Sequence, residues 1–195
     1  TGGNADTRGG GMFSGRMTAA LVMAGAVAKK LLTEIGIDIV AHIVEIGGII
    51  ARPADFDAIK SSAGTDSLRC ADAETSVRMN NAIAWAREQG DSLGGIIEGV
   101  VVGLPVGLGE PFFDTLEGDL AKALFAIPAV KGVEFGAGFG AARMKGSENN
   151  DPFAFRDGCI VTLSNNAGGV LGGISTGMPL IVRVAVKPTP SIGIE

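Results

Sequence analysis

Residues 14–35 read as one helix that is apolar on nearly every side. Met17, Leu21, Ala24, Ala28, Leu31, Leu32 and Ile35 recur at helical spacing, and Ala19, Val22, Met23 and Ala26 fill the opposite side. Such a helix has no face to give to water, so a fold containing it is expected to bury it. Gly36 stops the helix with a left-handed cap. The alternation over residues 37–46 then predicts a strand, with Ile37, Ile39, Ala41 and Ile43 on one side and Asp38 and His42 on the other. His42, the one histidine of the chain, is thereby expected on the more polar face, as a surface or interface residue and not as a catalyst.

The helix is entered through Arg8-Gly9-Gly10-Gly11-Met12-Phe13-Ser14-Gly15-Arg16-Met17-Thr18. Consecutive glycines let the backbone approach a ligand closely, and Ser14 is a good N-cap. The positive end of the helix faces the loop and favours an anion, which Arg8 and Arg16 can grip bidentately. A glycine-rich turn with two solvated arginines is the plainer alternative.

Further along, residues 52–72 mix Pro53, Gly64 and polar residues and predict a surface excursion with a short helix near 55–61. Asp72 caps a second helix running to Gln89. A glycine-interrupted strand is expected over 93–104, and Asp114 with Glu117 marks the start of a third helix. Its apolar stripe is Leu116, Leu120, Ala123, Leu124 and Ile127, and a strand over 130–135 follows. Over 165–177 a glycine-dense loop with Asn165 and Asn166 offers exposed N–H groups and small side chains against which a planar ring can lie. In the last strand Leu180, Val182, Val184 and Val186 face one way and Arg183 and Lys187 the other, delivering Lys187 to a rigid Pro188-Thr189-Pro190-Ser191 turn suited to a phosphate.

The chain has 31 glycines among 195 residues, about twice the usual share, without a collagen-type repeat, so the excess belongs in turns and ligand loops. A net charge of -5, 5% aromatic residues and no tyrosine leave neither a basic footprint nor stacking platforms for nucleic acid. Cys70 and Cys159 are too few and too far apart for a metal site or disulfide framework and fit a reducing, cytoplasmic setting. The apolar run 93–108 is short for a bilayer span and broken by Glu98 and Pro105, so no membrane role is expected. The segment Gly136-Ala137-Gly138-Phe139-Gly140-Ala141 satisfies the loose dinucleotide fingerprint, which makes a nicotinamide oxidoreductase the rival enzyme class. The polar stretch 144–152 stands where that fingerprint needs a helix, and it weakens the rival.

Five blocks, in order along nearly the whole chain, resemble the chorismate synthase family. They are Gly11-Met12-Phe13-Ser14-Gly15-Arg16-Met17-Thr18, Gly90-Asp91-Ser92-Leu93-Gly94-Gly95, 129–136, 165–175 and Lys187-Pro188-Thr189-Pro190-Ser191. The resemblance implies an α+β fold, a β-α-β sandwich with a layer of helices between two largely antiparallel sheets, in one partial domain spanning 1–195. It also implies an FMN-dependent lyase that converts 5-enolpyruvylshikimate 3-phosphate to chorismate and phosphate. By the family's pattern Met12, Phe13, Ser14, Pro128, Ala129, Gly172, Lys187, Pro188, Thr189, Pro190 and Ser191 contact reduced FMN, and Arg16 lies beside the substrate. Met12 departs from the basic residue that many relatives carry, which leaves a backbone contact at that position. NADPH enters only if the enzyme reduces its own flavin, and an external flavin reductase is the alternative partner. A homotetramer is the family's assembly. The family's Gly-x-Ser-His-Gly block is expected before Thr1 and its Arg and Asp near the flavin after Glu195, so no catalytic acid or base is named within this sequence. A non-catalytic flavin-binding or structural fragment is the competing class.

Overall fold

The structure, a computed structural model, describes residues 11, 14–62 and 64–193. Five strands form one antiparallel sheet in the order β2-β1-β3-β9-β4. These are β1 (Asp38–Ile46), β2 (Ile49–Ile50), β3 (Gly95–Val102), β4 (Val130–Phe135) and β9 (Leu180–Val186). Two hairpins stand apart from it, β5 (Phe153–Arg156) with β6 (Cys159–Thr162) and β7 (Val170–Leu171) with β8 (Ile174–Ser175). The helices are α1 (Thr18–Glu34), α2 (Phe56–Ser62), α3 (Ala73–Glu88), α4 (Leu116–Phe125) and the single turn α5 (Gly146–Asn149). An α+β architecture with an antiparallel sheet is therefore present as expected.

Local chemistry explains most boundaries. The Gly47-Gly48, Asp157-Gly158 and Gly172-Gly173 pairs each hold positive φ at both positions, the backbone of the two-residue hairpin turn that matches strand twist. Gly36 takes φ 84 and closes α1, with Ile37 N–H reaching back to the Leu32 carbonyl at 3.0 Å. Asp72 caps α3 by accepting from Thr75 N–H and the Thr75 hydroxyl, and it also receives Arg52 Nη2 at 2.7 Å. These bonds hold its carboxyl well below the usual carboxylate range. The third helix starts one residue later than Asp114 suggests, because Thr115 Oγ1 takes Gly118 N–H.

Three expectations are corrected. Residues 52–72 are more than a surface excursion: many of their side chains are exposed and the expected short helix is present as α2, but Ile59 packs on Val40 and Val100, and Cys70 joins Ile46, Ala51 and Met79, so the segment also supplies core to the sheet. His42 is 2% exposed, not on a wet face, because its even-numbered side of β1 turns inward with Val40. And α1 is not buried, since none of its described residues is and Val22 remains 69% exposed. Its neighbours here are β1 and the 3-10 turn Gly15–Met17, so no second layer of described residues lies over its outer side.

Four side chains stand directly opposite one another across the sheet: His42 pairs with Glu98, Glu98 with Arg183, and Arg183 with Glu134. His42 Nε2–H donates to Glu98 Oε1 at 3.2 Å, Arg183 Nη1 donates to Glu98 Oε2 at 3.0 Å, and Arg183 Nε donates to Glu134 Oε1 at 2.7 Å. The bond from His42 and the Arg183 guanidinium hold Glu98 below its ordinary pKa against the opposing pull of burial. A group shifted down stabilises the fold above its unfolded pKa of about 4.3, and that contribution fades as pH falls below it. Glu98→Gln is therefore expected to cost about 1–3 kcal/mol at pH 7, with the difference from wild type shrinking below about pH 4. Urea denaturation of both proteins at pH 7 and pH 3.5 checks this, and a difference independent of pH refutes it.

Candidate functional site

The residues singled out in the sequence fall in three places. Ser14 and Arg16 stand at the entrance of α1, where Ser14 caps the 3-10 turn Gly15–Met17 through the Arg16 N–H. Arg16 Nε also donates to Ser14 Oγ at 3.2 Å, and Thr18 Oγ1 donates to the Gly15 carbonyl at 2.6 Å. Gly11 has φ 50 and its carbonyl accepts Ser14 N–H at 3.1 Å, so the loop turns tightly just ahead of the cap. Arg8, Met12 and Phe13 lie outside the described residues.

The second place is one end of the large sheet. Lys187 follows β9, and its backbone N–H donates to the Ala129 carbonyl at 3.0 Å, which joins Pro128-Ala129 to the Lys187–Ser191 turn. Ala129 holds φ 73, a left-handed conformation that ordinarily favours glycine and costs an alanine about 1–2 kcal/mol. Strain of this kind clusters where a carbonyl or amide must point in one direction. Lys187, Thr189 and Ser191 are all exposed there. An ammonium and two hydroxyls on a proline-stiffened turn form a donor set that fits the phosphate or a ring carbonyl of a flavin. Residues 90–95 border the same turn: the Ser92 hydroxyl donates to the Thr189 carbonyl at 2.7 Å, and Gly193 N–H donates to the Gly90 carbonyl at 2.7 Å.

Gly172 is in the third place, at the tip of the β7–β8 hairpin. That hairpin is held by the segment 105–116, with Leu116 N–H donating to the Gly173 carbonyl and Ser175 N–H to the Leu108 carbonyl. It precedes β9 in the chain, whereas Lys187 follows that strand. A Cβ built on Gly172 meets nothing within 4 Å, so the tip opens to its surroundings.

Two ordering devices had no signal in the pattern. Asp151 accepts the Ser164 hydroxyl at 2.6 Å and the Asn166 and Ala167 N–H groups at 2.8 Å each. Burial pulls its pKa up, and these donors outweigh it and leave the carboxyl below its ordinary value. Asn165 completes the loop by accepting Gly169 N–H and donating to the Pro179 carbonyl. The glycine loop is thus held in shape from within. The dinucleotide alternative fails on topology: Gly136 and Gly138 lead into a 3-10 turn, Gly138–Arg143, and the strand before them belongs to an antiparallel sheet. A Cβ on Gly138 would stand 2.2 Å from Glu134 Oε2, so this glycine serves the turn. Among the described residues no group of three or more His, Cys, Asp or Glu could hold a metal ion, and no helix is long and apolar enough to cross a membrane.

Comparison with known proteins assigns the fold to a family. The family model described as chorismate synthase matches residues 3–195. Chorismate synthase of Dehalococcoides mccartyi strain BAV1 is 58% identical over 194 residues, which is 100% of this chain and 53% of that protein. The chorismate synthase of Methanosarcina barkeri is 55% identical over 188 residues, 96% of this chain and 52% of its own length. A crystal structure of a chorismate synthase superposes with a TM-score of 0.86 at 38% identity, covering 90% of this chain and 57% of that one. The chain spans about half the length of the curated relatives it matches. From residue 3 to residue 195, this chain belongs to the chorismate synthase family.

Proposed function

We propose that this chain carries the central part of a chorismate synthase site, acting on 5-enolpyruvylshikimate 3-phosphate with reduced FMN. The observation that carries this reading is the coincidence of the family's Lys187–Ser191 segment with a built turn, locked to Ala129 at 3.0 Å and presenting an ammonium and two hydroxyls. The reaction breaks the C–O bond to phosphate and removes a ring proton in the 1,4 relation, so a dianion departs with no net oxidation. The reduced flavin supplies the electron-rich surface on which that cleavage proceeds. The residues of this chain bind and orient. Lys187, Thr189 and Ser191 hold flavin oxygens, Pro128 and Ala129 form the adjoining backbone shelf, and Ser14 with the neighbouring Met12 and Phe13 adds a loop against it. Gly172 offers an uncrowded tip to the same cofactor in the complete enzyme. Arg16, at the positive end of α1, balances charge on the departing phosphate.

The working enzyme is proposed as a cytoplasmic homotetramer, completed by sequence that relatives carry beyond this span. NADPH or a separate flavin reductase supplies electrons for the flavin. The competing reading, a flavin-binding fragment without catalysis, is separated by assaying phosphate release from the substrate by this 195-residue chain and by the complete enzyme under anaerobic conditions with reduced FMN. Release by the complete enzyme supports the lyase; its absence there refutes it.

Removing a charge-assisted contact costs about 1.5–3 kcal/mol, a tenfold to hundredfold loss of affinity. Lys187→Ala in the complete enzyme is accordingly expected to weaken FMN binding by that factor, and Ser191→Ala by less. Anaerobic titration of reduced FMN reads both, and an unaltered Kd in Lys187→Ala removes this turn from the flavin site. Arg16→Ala is expected to abolish most turnover while flavin affinity stays within about threefold of wild type, since its partner is the substrate anion. Equal kcat/KM with and without the guanidinium would sink that assignment.

A further inference from the structure

We propose that Ser92 is a positioning residue of the flavin site, acting through the Thr189 carbonyl. The inference rests on the reading that the Lys187–Ser191 turn holds FMN. A turn built on Pro188 and Pro190 lacks two backbone N–H groups, so it is poor in the internal bonds that usually fix a loop. Within it Ile192 N–H donates to the Pro190 carbonyl at 3.1 Å, and its remaining anchors come from outside. Lys187 N–H is anchored on Ala129 at one end, Gly193 N–H on Gly90 at the other, and the Ser92 hydroxyl takes the Thr189 carbonyl between them at 2.7 Å.

Among the described residues, Ser92 makes the one side-chain hydrogen bond to this turn. It can reach because Gly94 lets the strands close: a Cβ there would stand 2.8 Å from the Val186 carbonyl and 3.0 Å from Pro188 Cδ. Ser92 is itself set by its own N–H, which donates to Asp91 Oδ1 at 2.7 Å. With the carbonyl of Thr189 drawn toward residues 90–95, the peptide cannot rotate, and the Lys187 ammonium and the Thr189 and Ser191 hydroxyls keep one arrangement toward the ligand. Loss of the hydroxyl leaves the binding groups in place and frees the backbone that aims them.

The test uses the complete enzyme with Ser92→Ala and with Ser92→Thr, which retains the hydroxyl. Reduced FMN affinity is measured by anaerobic titration, and hydrogen–deuterium exchange over residues 187–193 is followed in flavin-free protein. Ser92→Ala is expected to weaken FMN binding about five- to tenfold, the worth of one neutral hydrogen bond, and to speed exchange in 187–193 while other segments stay protected. Ser92→Thr is expected to restore both. Unchanged FMN affinity in Ser92→Ala overturns the proposal, as does unchanged exchange in the turn or a loss of protection spread over the whole protein. If Ser92→Ala does not fold, Ser92→Cys, a weaker donor of similar shape, carries the same comparison. Failure of the underlying reading looks different, because Lys187→Ala would then bind FMN as wild type does, whatever exchange reports.

Discussion

Arg183 stands in the middle of the sheet with a carboxylate on each side and reaches both at once. Its third contact, from Nη2 to the Gly136 carbonyl, carries the same side chain past the end of β4 and fixes the turn that follows. Half-buried ion pairs contribute little net energy when compared with apolar replacements, yet breaking one from a single side leaves an unpaired charge and is costly. Their value here is discrimination. A slip of one residue between β3 and β9 would turn Arg183 to the opposite face of the sheet, and a slip of two would place it against Ile96 or Val100, which offer no carboxylate. The His42, Glu98, Arg183 and Glu134 row therefore specifies register in strands that otherwise read as interchangeable valines and isoleucines.

The helix layer shows the opposite situation, a surface whose requirement is not met by the described residues. Leu21, Val22, Met23, Val27 and Leu31 of α1 remain exposed, a contiguous apolar surface of a kind that soluble proteins cover. The relatives are nearly twice as long as this chain. Hydrophobic periodicity states how much cover a helix needs, and it is silent about which stretch of sequence provides it.

That distinction explains what was legible. Features set by neighbours in sequence could be read directly: the Ser14 and Asp72 caps, the left-handed stop at Gly36, the bounds of β4 and the opposed faces of β9 with Arg183 away from Leu180 and Val182. The Thr115 cap was missed by one position because Asp114 and Thr115 are both good caps, and only the path of the chain decides between them. Features set by distant partners were not legible. His42 is buried because Glu98 meets it across 56 residues, and the left-handed Ala129 has no sequence signal, since alanine gives no hint of positive φ. The residues proposed to meet the flavin came from family resemblance, and the bond that ties Lys187 to Ala129 is visible only in the fold.

Register then reaches the candidate site. Glu98 faces Arg183, and three residues further along each strand Gly95 faces Val186. Beyond that pair the two strands diverge into Ser92 on one side and Thr189 on the other, whose hydroxyl and carbonyl meet at 2.7 Å. Each residue of slip moves one strand about 3.3 Å past the other, more than the tolerance of a hydrogen bond. The contact that shapes the Lys187–Ser191 turn is thus possible in one register alone, the register that the charged row selects. A cluster on the inner part of the sheet with no proposed contact to substrate or cofactor becomes, by this route, a determinant of where the Lys187–Ser191 turn stands.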